Sequence, residues 1–368
     1  MRKKKRSNAL YVHVPFCQHL CHYCDFTKLL YDEKKADLYV DQLIAEIHGY
    51  GIERVATIYI GGGTPTALSL FQLEKLLVTV APLLAPDGEF TVEANIENAT
   101  REKLLLLQKY GVNRLSLGLE SMHDDILVSM NRHHTAKEAV ETVRLAQSLG
   151  FKNINVDLIY GLPETDLTTI REDLNQMLTL KVDHISTYAL LVAPHTVFFA
   201  HHVAEPTQEM AREQYDLILS TLRNAGYERY EVSNFARSGK QSKHNLVYWN
   251  DEAYYGVGLG ASGYLDGVRY TNTKNLTKYL AGQYIGQKEE ITPTIEEEEF
   301  LMLKLRLAEG FSKADYRERF DNDFNGKYKE EVERLVKKGL LLDEPDRVRC
   351  TDDGIMLLDY VLLHLYKE

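Results

Sequence analysis

Three of the chain's four cysteines stand within eight residues, in Cys17-Gln18-His19-Leu20-Cys21-His22-Tyr23-Cys24. Thiolates are the preferred protein ligands of iron–sulfur clusters and also bind zinc. A structural zinc site usually takes four ligands, commonly as two separated pairs. Here one tight loop carries three thiols, and Cys350 lies far along the chain. His19 or His22 could supply a fourth zinc ligand, so that reading stays open. A cubane iron–sulfur cluster held by three thiolates leaves one iron without a protein ligand. That iron can take a small molecule through an amine and a carboxylate.

Other residues suited to chemistry recur where predicted strands end. Gly61-Gly62-Gly63-Thr64-Pro65 follows the second strand, Glu93 ends the third, Glu120 ends the fourth, and Asp157 lies in the fifth, ahead of Tyr160-Gly161-Leu162-Pro163. A glycine run alone is usually just a turn. Beside a cysteine loop it lets backbone N–H and C=O groups come close to a ligand. The bland alternative for each acid is an ion pair at the rim.

The elements that must position these groups alternate. Strands are predicted at 10–14, 55–60, 89–94, 114–119, 153–160 and 184–190, with a further one near 230–232. Between them helices are predicted at 34–49, 69–84, 101–110, 124–130, 136–149, 167–180 and 207–225. Parallel strands need such crossovers. The count predicts an α/β fold, a (β/α) barrel that is complete or partial, with active groups at the C-terminal ends of its strands. A doubly wound open sheet is the alternative. The barrel is expected over 9–234, after a basic leader at 1–8. A Gly- and Tyr-rich connecting region follows over 235–291, and a mostly helical, winged-helix-like domain over 292–368, where three helices precede a hairpin and a last helix spans 354–366.

Composition narrows the function. The 368 residues carry a formal charge of −11, which argues against generic binding to a nucleic-acid backbone. No nucleic-acid partner is therefore expected, and the acidic run at 296–299 turns the C-terminal module toward protein contact or substrate covering. No apolar stretch is long enough to span a bilayer, and residues 7–17 are too short and polar for a signal-peptide core. The expected location is the cytoplasm, where free thiols persist. The basic run at 2–6 reads as a solvated tail or as a weak anchor to anionic lipid at the inner face of the membrane. His133-His134 and His201-His202 read as surface or core residues.

The C-x3-C-x2-C loop resembles that of the radical S-adenosylmethionine superfamily. This implies a [4Fe-4S] cluster on Cys17, Cys21 and Cys24, with S-adenosylmethionine as cofactor. Over residues 9 to about 270 the likeness tightens. Tyr11-Val-His-Val-Pro-Phe-Cys17, Gly61-Gly-Gly-Thr-Pro-Thr66 and Val156-Asp-Leu-Ile-Tyr-Gly-Leu-Pro163 resemble the group of oxygen-independent coproporphyrinogen III dehydrogenases and HemW-type heme chaperones. By that resemblance Tyr11, Gly62, Gly63, Thr64, Glu93, Arg132, Asp157 and Ala189 fall on cofactor-contacting positions. Tyr23 falls where an aromatic lies against the adenine, and Glu120 where the dehydrogenase branch has Gln.

Two departures separate the branches. The dehydrogenases carry a further cysteine two residues after the last cluster cysteine, where this chain has Phe26, and a longer segment before the first strand. His244-Asn245-Leu246-Val247-Tyr248-Trp249 resembles a chaperone segment implicated in heme binding, with His244 as the expected ligand. The resemblance implies a heme chaperone that passes heme to an acceptor hemoprotein. A homodimer and peripheral membrane contact are further associations it allows. The alternative is oxidative decarboxylation of coproporphyrinogen III.

Overall fold

The computed structural model of the protein describes residues 7–366; the basic run at 2–6 lies outside them. Six strands hydrogen-bond side by side in chain order, all parallel: β1 (Ala9–Val14), β2 (Val55–Gly62), β3 (Leu84–Asn95), β4 (Arg114–Glu120), β5 (Ile154–Tyr160) and β6 (His184–Ala189). The crossovers run through α1 (Glu33–Gly49), α2 (Leu70–Val80), α3 (Arg101–Lys109), α4 (Asp124–Ser129) with α5 (Ala136–Ser148), and α6 (Leu167–Thr179). After β6, α7 (Gln208–Asn224) returns along the sheet and packs on α6.

Local chemistry sets the helix starts. Ser69 and Gln72 form a reciprocal capping box on α2, and Thr135 and Glu138 do the same on α5. Each cap gives orphan first-turn N–H groups a partner, so the chain turns directly from loop into helix.

The sheet extends past the six strands. At one edge β7 (Glu228–Arg229) and β8 (Asn234–Ala236) form an antiparallel hairpin against β6. The strand expected near 230–232 is thus two short strands, with Tyr230–Val232 in the connection. At the other edge β9 (Tyr255–Val257) lies parallel to β1. Residues expected in an aperiodic connector therefore belong to the main sheet. Among the described residues, the order runs from β9 through β1 to β7 without closing. The barrel is partial.

Alternation along these strands sorts the side chains. Leu115, Leu117 and Leu119 of β4 and Ile154, Val156 and Leu158 of β5 join the apolar core under the helices. The intervening residues, Arg114, Ser116 and Glu120 on β4 and Asn155 and Asp157 on β5, turn into the barrel. The lumen is therefore polar and hydrogen-bonded. Tyr230 Oη lies 2.8 Å from His184 Nε2, and His184 Nδ1 lies 2.6 Å from Asn155 Oδ1. Asn155 Nδ2 donates to Ser116 Oγ and Asp157 Oδ1, both at 2.8 Å.

The lower end of this lumen is closed by α8 (Lys243–Trp249), whose first two N–H groups donate to the Glu89 carboxylate at 3.2 and 3.1 Å. A second sheet, β10 (Ser262–Leu265), β11 (Val268–Asn272) and β12 (Ile285–Glu290), follows β9. The C-terminal unit has its own apolar core. Helices α9 (Pro293–Lys304), α10 (Lys313–Phe320) and α11 (Phe324–Lys337) are followed by the hairpin β13 (Leu341–Asp343) and β14 (Arg347–Cys350). The single last helix expected at 354–366 is two, α12 (Asp352–Met356) and α13 (Leu358–Leu365), broken at Leu357. Asp352 pairs with Arg223 and Arg229 of the barrel, at 2.8 and 2.9 Å. Asn250 and Asp251, just after α8, pair with Lys304 and Arg319.

His184 supplies a stability test. Its ring is fully buried, and burial, followed by Arg114, pushes its pKa well below the usual 6.5. The folded protein keeps the ring neutral while the unfolded chain takes up a proton below about pH 6.5. The stability that His184 contributes is complete above that pH and is lost as pH falls, by up to about 1.4 kcal/mol per unit. We expect the stability gap between wild type and His184→Gln to be widest at pH 7.5 and to narrow steadily below 6.5, measured by urea unfolding. A gap constant from pH 7.5 to 5 would show that this ring is not held neutral.

Candidate metal and cofactor site

The cysteine loop leaves β1 at the C-terminal rim and is pinned from three sides. Tyr31 N donates to Cys17 O at 2.8 Å and Thr64 N to Phe16 O at 2.8 Å. His22 N donates to Met130 O at 3.0 Å, Asn131 Nδ2 to Leu20 O at 2.9 Å, and Phe198 N to His22 O at 3.0 Å. Two sulfurs also have their own donors: Thr64 Oγ1 lies 3.6 Å from Cys17 Sγ, and Arg132 Nη1 lies 3.4 Å from Cys21 Sγ. All three cysteines are free. Burial pushes the Cys17 thiol up to about 11, a rise the Thr64 hydroxyl partly offsets, and burial raises Cys24 as well. A metal cation that takes the place of the proton would offset that cost for Cys17 and Cys24.

The donor set discriminates between metals. Among the described residues, no three His, Cys, Asp or Glu side chains converge on a point where one ion could be held. This counts against mononuclear zinc. A cubane asks each thiolate for a different iron, so its ligands need not converge. Three free thiols facing one cavity, with hydrogen-bond donors on two of them, fit that group.

The cavity beside the loop measures about 330 Å³. It is lined by Cys17, Cys21, Tyr23 and Cys24, and by Gly62, Gly63, Thr64, Glu93, Glu120, Arg132, Asp157 and Ala189. One expected contact, Tyr11, does not line it. Its hydroxyl lies 2.9 Å from His13 Nδ1, one layer behind the glycine run. Sequence reasoning missed Asn95, Ser116 and Lys28, which also line the cavity. Asn95 and Ser116 sit two or four positions from Glu93 and Glu120 on the same strand faces, so the period of two could have found them.

Each polar group is fixed. Glu93 accepts from Tyr59 Oη at 2.6 Å and from Gly62 N at 2.9 Å; burial raises its pKa, and these bonds oppose the rise. Asp157 is pushed up to about 7, by burial first and then by Glu120. Arg132 donates to Gly118 O at 2.6 Å and to Asn95 Oδ1 at 3.3 Å, and stands 3.9 Å from Glu120. Tyr23 Oη donates to Glu120 Oε1 at 3.0 Å. Glu120 itself holds a left-handed backbone, φ 69°, which aims its carboxylate at both partners. Four carboxylates, Asp25, Glu93, Glu120 and Asp157, against two cations, Lys28 and Arg132, suit a ligand carrying positive charge and hydroxyl groups. The glycine run suits one that the backbone must approach closely.

His244 lies elsewhere. It is fully buried beneath the barrel, with Nδ1 2.8 Å from Thr57 Oγ1 and Nε2 2.8 Å from Tyr248 Oη. Burial, then Arg114, pushes its pKa down to about 3. This corrects the expectation of an available axial ligand: in this conformation both ring nitrogens are engaged, and His244 ties α8 to β2.

A partial barrel with three thiols and an acid-lined, glycine-walled cavity on its upper rim defines a radical S-adenosylmethionine protein. The Radical SAM superfamily model matches residues 11–177, and the HemN C-terminal domain model matches residues 291–357. The heme chaperone HemW of Lactococcus lactis is 37% identical, over 96% of this chain and 96% of the relative. HemW of Bacillus subtilis is also 37% identical, over 95% and 96%. HemW of Escherichia coli is 32% identical, over 96% and 97%. The solved coproporphyrinogen III oxidase HemN of Escherichia coli, a radical SAM enzyme, superposes with a TM-score of 0.86 at 23% identity, over 99% of this chain and 91% of that one. The chain belongs to the HemW family of the radical SAM superfamily, whose cofactors are a [4Fe-4S] cluster and S-adenosylmethionine.

Two substitutions test the geometry. Gly62 holds φ 111°, and a Cβ there would come within 2.3 Å of the His13 ring. Gly62→Ala should therefore cost about 2–3 kcal/mol of stability and weaken S-adenosylmethionine binding at least tenfold by equilibrium dialysis. A wild-type unfolding midpoint would mean that His13 yields freely. His244→Ala should cost about 2–4 kcal/mol in heme-free protein, because two buried hydrogen bonds and a ring's packing are lost. An unchanged midpoint in thermal unfolding would remove the structural role assigned to it.

Proposed function

We propose that this chain is a heme chaperone. It binds heme and hands it to an acceptor hemoprotein, with a cluster on Cys17, Cys21 and Cys24 and S-adenosylmethionine in the adjoining cavity. The observation that carries this reading is the end-to-end likeness, at 37% identity, to proteins named heme chaperone. Two features of the rim support it. Where the dehydrogenase branch has a further cysteine, this chain has Phe26, 65% exposed at the cavity mouth. Leu191, 66% exposed, and the half-exposed Tyr188 line the same mouth, and Lys28 lies beside them. Apolar surface with a nearby cation suits a flat macrocycle bearing carboxylates.

When bound on Cys17, Cys21 and Cys24, the cluster would supply an electron to the cofactor's sulfonium, and its open iron would take the cofactor's amine and carboxylate. The chain's own residues do the rest. Thr64 and Arg132 donate to thiolate sulfur, Glu93 and Asp157 offer acceptors to hydroxyl and amine groups, and Tyr23 closes the adenine side. In this reading His244 can reach heme only after α8 withdraws from Thr57 and Glu89. The reducing cytoplasm suits the free thiols. Among the described residues no helix is long and apolar enough to cross a membrane, so any association with the inner face would be peripheral.

The test is anaerobic reconstitution with iron and sulfide, followed by heme titration and porphyrinogen assay. We expect bound iron and sulfide that vanish on Cys→Ala at positions 17, 21 and 24, saturable heme binding, transfer to an apo-hemoprotein, and no protoporphyrinogen from coproporphyrinogen III. Turnover of coproporphyrinogen without heme affinity would make the chain a dehydrogenase. Zinc without sulfide would remove the cluster.

A further inference from the structure

Thr64 faces the Cys17 sulfur and Arg132 the Cys21 sulfur. At Cys24 the donors come from the chain that follows it. Lys28 lines the cofactor cavity and turns its ammonium back onto the Cys24 carbonyl. Its place in the chain is fixed on both sides. The Thr27 carbonyl lies 2.8 Å from His13 Nε2, and Leu29 N donates to Pro15 O at 2.7 Å. Leu29 and Leu30 then run parallel to Phe16 and Cys17.

Burial raises the Cys24 thiol, and the Lys28 charge is the first group to oppose that rise, helped by hydrogen bonding from the Phe26 N–H and from Lys28 itself. At Cys17, where burial again raises the thiol, the same ammonium acts after the Thr64 hydroxyl. One cation thus bears on two of the three thiols. The other cation of the cavity is shared out: Arg132 stands 3.9 Å from Glu120 and donates to Gly118 O and Asn95 Oδ1. Among the described residues no carboxylate forms an ion pair with Lys28, whose bonded partner is a neutral carbonyl. Reduction of a [4Fe-4S] cluster adds one negative charge, which the cavity's four carboxylates, Asp25, Glu93, Glu120 and Asp157, oppose. A cation beside the thiolates favours it.

We propose that Lys28 raises the reduction potential of the cluster, its ammonium stabilising the added negative charge through Cys24. This rests on the cluster reading above and not on heme. Lys28 is partly exposed, so water screens its charge and the effect is a few-fold one.

The test is an EPR-monitored potentiometric titration of the anaerobically reconstituted full chain, without heme or S-adenosylmethionine, in wild type, Lys28→Met and Lys28→Arg. Iron and sulfide content and thermal unfolding establish first that each variant is folded and loaded. Lys28→Gln takes the place of Lys28→Met should that variant not load. At the wild-type midpoint we expect the ratio of reduced to oxidised cluster to be about threefold lower, or more, in Lys28→Met. In Lys28→Arg it should stay within about twofold of wild type. A Lys28→Met midpoint equal to that of wild type, or higher, would overturn the proposal. So would a fall in Lys28→Arg as large as in Lys28→Met, because packing rather than charge would then be responsible. A chain that takes up no cluster would overturn the cluster reading and the proposal together, whereas a loaded cluster with an unmoved potential would overturn the proposal alone.

Discussion

A polar inner face is the constraint on which this barrel depends. Strand alternation sends every second side chain inward, and on β3, β4, β5 and β6 those side chains include Glu89, Glu93, Arg114, Glu120, Asn155, Asp157 and His184. An unbonded polar group in such a place is costly, and the carboxylates, Asn155 and His184 all have hydrogen-bond partners. The result is a lumen whose carboxylates cannot drift. Asp157 is held through Asn155 by His184 and Tyr230, and Glu93 is held by Tyr59 and the Gly62 N–H. The cofactor cavity is thus the open end of a hydrogen-bonded column, and its acceptors are placed before any ligand arrives. Placement in advance lowers the cost of ordering on binding.

The cysteine loop is joined to this column chiefly through Arg132. One guanidinium reaches Cys21 sulfur, the Gly118 carbonyl and the Asn95 side chain, with Glu120 close by. A planar fork with several donors can do this where an ammonium could not. The β4–α5 crossover that carries Arg132 further anchors the loop through Met130 and Asn131. Cluster loop and carboxylates therefore move as one unit.

Much of this was legible in the sequence, and the limits have physical causes. The cysteine spacing is local, so three ligands on one loop could be read directly. The six parallel strands were legible because their apolar faces are continuous and their helices carry strong caps such as Ser69 with Gln72. The edges were not. β9 is three residues, Tyr255–Val257, and pairs with β1 more than two hundred positions earlier. No periodicity survives in so short a strand, and only the tertiary fold decides its partner. Tyr11, expected at the cofactor, does not line the cavity, and its hydroxyl pairs with His13 instead. His244 shows the same limit more sharply. Its type and its aromatic neighbours suggested an axial heme ligand, and in this conformation the ring fills a position that Thr57, Glu89 and Arg114 create from three other strands.

That burial bears on how function can differ among proteins that share this fold. The likeness to a coproporphyrinogen oxidase structure extends over nearly the whole chain, and a shared scaffold says little about the reaction, which is decided by the groups at its openings. At the upper opening, Phe26 presents an apolar surface beside the cluster loop. At the lower opening, α8 is held twice. Its first turn is bound to Glu89 and Thr57 in the lumen, and the residues after its last turn, Asn250 and Asp251, are bound to Lys304 and Arg319 of the C-terminal unit. Withdrawal of α8 would break both sets of bonds and leave Glu89 and Arg114 facing an open lumen, so it cannot be a local flutter. Any process that exposes His244 must displace the C-terminal unit from α8 as well. The floor of the barrel is thus bonded to that unit as firmly as to the lumen, through Asn250 and Asp251 on one side and Glu89 and Thr57 on the other.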